Sequence, residues 1–194
     1  MPSIARLSSM IELLRARTGM HHDGLENILR IEERLSGVVS RGPLIAGYKI
    51  LYSECEAVLR PHLQNISDLT FSSRFHSRNV YDRAELAYFG NPSVDPIFPA
   101  VGTRAEALGA MYVLEGSTLG GKIILKTLRS RGVSTDQLHF LDPYGKQAGA
   151  LWRTFLSILE RETAPDQTAM NECVSGAIKA FNFAAICLHE ERTN

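Results

Sequence analysis

Apolar residues recur every three or four positions along almost all of this chain, and strict alternation of apolar and polar residues is nearly absent. A period near 3.6 predicts helices throughout and an all-α fold. The first helical region covers about 4–34, with Ile4, Leu7, Ile11, Leu14, Thr18, Leu25 and Leu29 on one stripe. Gly37 and the run Arg41-Gly42-Pro43 are read as its end. A second helix is predicted over 44–64, through Ile45, Tyr48, Leu51, Cys55 and Val58, crossing Pro61 near its end. A third runs from about Asn79 to Phe89 and stops at Gly90, before the proline-rich connection 91–102. Thr103 and Glu106 have the spacing of a capping box, which opens a long helix ending near Gly132. After a loop over 134–149, two last helices cover 150–161 and 166–190, the latter with Met170, Val174, Ala177, Phe181, Ala184 and Leu188 on its apolar stripe. There is no internal repeat and no dividing linker, so residues 1–194 are read as one compact, mostly antiparallel helical domain.

One stretch breaks the helical rule. In Met111–Leu128, "MYVLEGSTLGGKIILKTL", three glycines (Gly116, Gly120 and Gly121) fall within six positions. Each costs a helix roughly 1 kcal/mol relative to alanine. Close helix packing, a kink or a helix end are the ordinary explanations. Helical periodicity on both sides argues against an end. The missing Cβ atoms also leave bare backbone that a flat, bulky partner can approach closely. Ser117 and Thr118 add small hydroxyls suited to ordering water. No strand precedes the segment and no GxxxxGK[ST] or GxGxxG pattern is present, so it is not a phosphate loop.

Composition narrows the partners. Lys+Arg and Asp+Glu both number 21, so no global charge points to nucleic acid or an acidic membrane. The amino-terminal residues lack the apolar run and cleavage site of a signal peptide, and no stretch is apolar enough to span a bilayer. Cys55, Cys173 and Cys187 are odd in number and widely spaced, as reduced core thiols are, and a cytoplasmic location is expected.

Candidate chemistry begins at "RTGMHHDGLE", 17–26. Thr18, His22 and Glu26 follow each other at four-residue steps, a spacing that continues the apolar stripe and places an imidazole toward the interior. His21 lies about 100° round the helix, and periodicity leaves it open as the inward one. The ordinary reading of either is a core or boundary histidine satisfied by a hydrogen bond. No further ligands cluster at metal-site spacing, so the sequence argues against a zinc site built by the protein alone. A single histidine suffices only where a porphyrin supplies the other ligands. Arg15, Arg17 and, in "ALWRTFLSILE", Arg153 read as solvated surface residues, or as partners for the carboxylates of an anionic cofactor.

Taken together, these segments resemble the heme oxygenase family, in particular its soluble bacterial, biliverdin-producing members. "LLRARTGMHHDGLE" is similar to the family's proximal-helix pattern L-[RK]-x-x-T-x-x-x-H-x-x-x-E, and this alignment selects His22 over His21. "YVLEGSTLGG" resembles the glycine-rich distal helix, with further matches at "RAELAYFG", "LWRTFLSIL" and "AFNFAA". The resemblance implies oxidative cleavage of heme to biliverdin, ferrous iron and carbon monoxide, with heme both substrate and cofactor. It needs O2 and electrons from an external ferredoxin or flavin reductase, because no flavin, nicotinamide or iron–sulfur motif is present. A bilin-binding photoreceptor is a further partner it implies.

The resemblance also implies residue roles. His22 is the axial ligand to iron, with Glu26 fixing the imidazole. Gly116, Gly120 and Gly121 lie over the distal face, where bulk-free backbone steers dioxygen toward a meso edge of the ring. Arg15 and Arg153 face propionates, and Tyr112, Phe181 and Phe89 pack on the porphyrin. Mammalian members carry an aspartate where this chain has Ser117. That difference leaves a non-catalytic heme-binding or heme-transfer protein as the alternative, and a helical scaffold with closely packed glycines as the third reading.

Overall fold

The computed structural model describes residues 4–36, 38–74 and 96–189. The described residues are helical and contain no strand. Six α-helices are described: α1 Ile4–Leu29, α2 Ile31–Ser36, α3 Val38–Leu63, α4 Arg104–Ser130, α5 Ala148–Thr163 and α6 Gln167–Leu188. The helix expected over 79–89, with "RAELAYFG" and Phe89, lies outside the described residues, as does Gly37.

The first helical break falls earlier than expected. It occurs at Arg30, whose positive φ of 42° interrupts the ladder between α1 and α2. Arg41, Gly42 and Pro43, read from the sequence as a terminator, lie inside α3. A proline early in a helix forfeits one hydrogen bond but already has a helical φ. Burial of Leu44, Ile45 and Tyr48 immediately afterwards outweighs that loss.

Helix α4 is central. Ala107, Leu108, Ala110, Met111, Val113 and Leu114 bury most of the circumference of its first half, and Thr118, Gly121, Leu125 and Leu128 continue as a single stripe. It packs most extensively against α6 and also contacts α3 and α5, while α1 lies against α6 and α5. The Thr103 hydroxyl accepts from the Glu106 N–H at 3.2 Å. Glu106 reaches back to the Gly102 N–H at 2.8 Å, one residue before the partner a strict capping box would use. At the other end Gly132, with φ 73°, closes a Schellman turn: its N–H donates to Arg129 O, and the Val133 N–H to Leu128 O. The chain therefore runs helically through all three glycines of the 116–121 segment, without an end.

Two crossings set the helix spacing. A Cβ on Gly109 would collide with the Cys173 carbonyl, and one on Gly176 with the Glu106 carbonyl, so α4 and α6 cross backbone to backbone. Gly47 of α3 meets the Cys187 carbonyl of α6 in the same way. Cys55, Cys173 and Cys187 are buried, reduced thiols. Among the described residues no helix is long and apolar enough to cross a membrane.

Candidate functional site

Helix α1 carries the histidines on two adjacent lines. His21 is seven residues after Leu14 and four before Leu25, so it follows the core stripe and is half-buried. Its Nδ1 is buried and has no hydrogen-bond partner among the described residues. His22 departs from expectation. Four-residue steps drift about 40° each round a helix. Thr18 is therefore buried and donates to Leu14 O at 2.7 Å, whereas the His22 side chain is 57% exposed and Glu26 69%. His22 thus sits on the rim of the helix interface, not inside it. Its ring stands edge-on to Phe181 of α6, with centroids 6.1 Å apart, and His21 is 6.4 Å from the same ring.

Each ring nitrogen of His22 has a carboxylate nearby. Asp23 Oδ1 lies 3.7 Å from Nδ1, and Glu26 Oε1 lies 3.7 Å from Nε2. Both distances exceed a hydrogen bond, so the carboxylates bias the ring electrostatically without fixing a tautomer. The sequence reading named Glu26 and missed Asp23, because a side chain at i+1 does not share the helix face.

Arg15 is two turns before His22, hence on nearly the same line of α1. It is exposed and lies near the Tyr112 hydroxyl of α4. Burial pushes that phenol above its ordinary range, and the Arg15 charge pulls it part of the way back. Tyr112 packs on Trp152 of α5 at 5.4 Å, and Trp152 is the nearest group to the open side of Gly116, 3.8 Å from where a Cβ would stand. A continuous contact path therefore runs from the histidine helix to the glycine helix. Trp152 was not anticipated. The sequence pointed to its neighbour Arg153, which is exposed with its guanidinium near Gly149 and outside this path.

The three glycines do not act alike. Around Gly120 no atom of the described residues lies within 4 Å of a built Cβ, and at Gly116 only the ordinary Trp152 contact is found. Gly121 corrects the expectation of a shared face. A Cβ there would strike the Leu141 carbonyl, so this glycine packs α4 against the His139–Leu141 turn. One residue further round the helix is about 100°, enough to carry it from the open side to the packed side.

Ser117 is also committed. Its hydroxyl donates to Leu114 O at 2.6 Å, and so accepts from the Tyr52 hydroxyl 3.2 Å away on α3. Burial first, then the neighbouring Tyr48, drives the Tyr52 phenol far up, so it remains a donor. Thr118 is turned inward and bonds Glu115 O at 2.7 Å.

A heme placed here would need one nitrogen ligand, a face without side chains and a cation for its carboxylates. The rim histidine His22, the bare backbone at Gly116 and Gly120, and exposed Arg15 fit that description. Among the described residues no group of three or more His, Cys, Asp or Glu side chains could hold a metal unaided.

Residues 92–190, about half of the chain, match the family described as heme oxygenase. A heme oxygenase of Xanthomonas campestris pv. campestris is 31% identical over 110 residues, which cover 56% of this chain and 66% of that protein. Heme oxygenase PigA of Pseudomonas aeruginosa is 25% identical over 193 residues, covering 93% of this chain and 92% of its own length. With an all-α fold and this match over half of its length, the chain belongs to the heme oxygenase family.

Proposed function

We propose that the protein is a cytoplasmic heme oxygenase that opens heme to biliverdin, ferrous iron and carbon monoxide, using O2 and electrons from an external ferredoxin or flavin reductase. The observation that carries this reading is the open backbone at Gly116 and Gly120, joined through Trp152, Tyr112 and Arg15 to the helix bearing His22. Bound heme supplies the iron and the ring that is cleaved. His22 offers the ligand nitrogen, with the Asp23 and Glu26 carboxylates each 3.7 Å from one of its ring nitrogens. Arg15 holds a carboxylate of the ligand in place of the Tyr112 hydroxyl. Phe181 closes the side of the slot next to His22. Gly116 and Gly120 leave room for a small molecule beside the backbone.

Ser117 qualifies the proton side of the reaction. Its proton is held by Leu114 O, and one lone pair receives the Tyr52 hydroxyl, which leaves it an acceptor and not a donor. That arrangement favours, as the second reading, a heme-binding or heme-transfer protein on the same fold. Titration with hemin, then reduction in air and chromatography of the product, separates the two. A Soret band that bleaches to a bilin is the expected outcome; a band that persists supports the second reading. No stoichiometric Soret shift at all would overturn both.

The ligand assignment has its own test. His22→Ala is expected to abolish the histidine–iron signature of the ferrous complex, and His21→Ala to retain it. The opposite pattern would mean that the half-buried histidine binds iron.

A further inference from the structure

Immediately before Gly116, helix α4 turns a carboxylate into the protein interior. Glu115 is 1% exposed and both of its oxygens are engaged. Oε2 accepts from Arg74 Nη1 and Oε1 from the Tyr144 hydroxyl, each at 2.8 Å. Arg74 is equally buried, and its other donors reach two backbone carbonyls: Leu69 O from Nε at 2.7 Å and Leu151 O from Nη2 at 3.2 Å.

Stability alone is a weak reason for such a pair. Apolar residues of similar volume often serve as well or better, because two desolvated charges recover little more than they lose. A buried guanidinium does give geometry, since its planar fork fixes several partners at set angles. Here the fork ties together α4, the Ser67–Leu69 turn and the start of α5. Two of its anchors adjoin the candidate site directly. Glu115 precedes Gly116, and Leu151 precedes Trp152, the residue that faces the open side of Gly116 at 3.8 Å.

We propose that the Glu115–Arg74 pair, steadied by Tyr144, is a positioning device that sets the gap between the glycine face of α4 and Trp152. It thereby fixes how a flat ligand seats in that gap, an inference that rests on the heme reading above. Tyr144 suits the part. Burial, and next the Glu115 charge, push its phenol well above the ordinary range, so its proton stays on the oxygen that donates to Glu115.

The test compares the wild type with Glu115→Gln, Tyr144→Phe and, as a control for lost stability elsewhere on α4, Leu128→Ala. Each is titrated with hemin, melted, and examined as the cyanide-ligated ferric complex by proton NMR, where the heme-methyl resonances report how the ring is seated. Glu115→Gln is expected to move those resonances and weaken hemin binding about tenfold. Tyr144→Phe, which leaves the ion pair intact, should move them in the same direction by less. Leu128→Ala should lower the melting temperature with a wild-type methyl pattern. If Glu115→Gln fails to fold, Tyr144→Phe decides alone. Wild-type methyl resonances and hemin affinity in destabilised Glu115 and Tyr144 variants would overturn the proposal by reducing the network to scaffolding. Absence of any hemin-induced Soret shift in the wild type is a different result, which removes the heme reading and this inference with it.

Discussion

Gly109 and Gly116 stand seven residues apart on α4, so they occupy nearly the same line of one helix. Their surroundings are opposite. Gly109 is pressed against the backbone of Cys173, at the point where α4 crosses α6. Two turns later the facing element is α5, and among the described residues Gly116 meets only the tip of the Trp152 ring at an ordinary contact distance. One residue type on one helix line thus serves two purposes. At the crossing the missing side chain is filled by another helix. Beyond it, at Gly116 and Gly120, no backbone of the described residues fills it. The contrast teaches that a glycine's role is set by what lies opposite it.

The strongest way to break the comparison is at the crossing. Gly109→Ala would drive a Cβ into the Cys173 carbonyl, and backbone at a helix crossing has little room to yield. The gain in helix propensity is about 1 kcal/mol, and overpacking costs commonly reach about 3 kcal/mol. A loss of about 2 kcal/mol or more is therefore expected in urea unfolding, as is a comparable loss for Gly176→Ala against the Glu106 carbonyl. A midpoint equal to wild type would mean that the two helices part more easily than their contact implies.

Gly121→Ala should rank next. Its Cβ meets the Leu141 carbonyl, but Leu141 sits in a three-residue turn inside a loop and can retreat. The expected loss is about 1 kcal/mol. Because this side of α4 faces away from Trp152, hemin affinity should stay near the wild-type value. A marked fall in affinity without a fall in stability would return Gly121 to the open face.

These two variants mark where the sequence was informative and where it was silent. Helical periodicity located α4, α5 and α6 to within a few residues, because their buried stripes repeat over several turns. Thr103 and Glu106 announced the start of α4 through their spacing alone. The break at Arg30 was invisible, since no glycine or proline marks it and only a positive φ reveals it. Glycine spacing exposed the 116–121 cluster, whereas isolated Gly109 and Gly176 drew no attention, although they hold the tightest crossing. Nothing in a linear pattern pairs residue 109 with 173. The same limit hid Arg74 and Glu115, which are 41 positions apart and joined only by the fold. Histidine orientation was misjudged for a different reason. A four-residue step overshoots a full helical turn by about 40°, and two such steps carry the chain from buried Thr18 to exposed Glu26.

The smallest effect on stability belongs to Gly120→Ala, and its sign is reversed. No atom of the described residues lies within 4 Å of the new methyl group, and the residue sits well inside α4. Alanine there removes backbone entropy from the unfolded chain at no steric cost, so the urea midpoint should rise, by up to about 1 kcal/mol. On the proposed function the same methyl group occupies the slot that a porphyrin face needs. Hemin affinity should fall while the apoprotein becomes more stable. Two readings make opposite statements about this one substitution. If the glycine exists to admit a flat ligand, stability and binding move in opposite directions. If it is only a tolerated defect of a long helix, the stability gain appears alone and the Soret titration is unchanged, and the open face at Gly116 and Gly120 then has to be given another use.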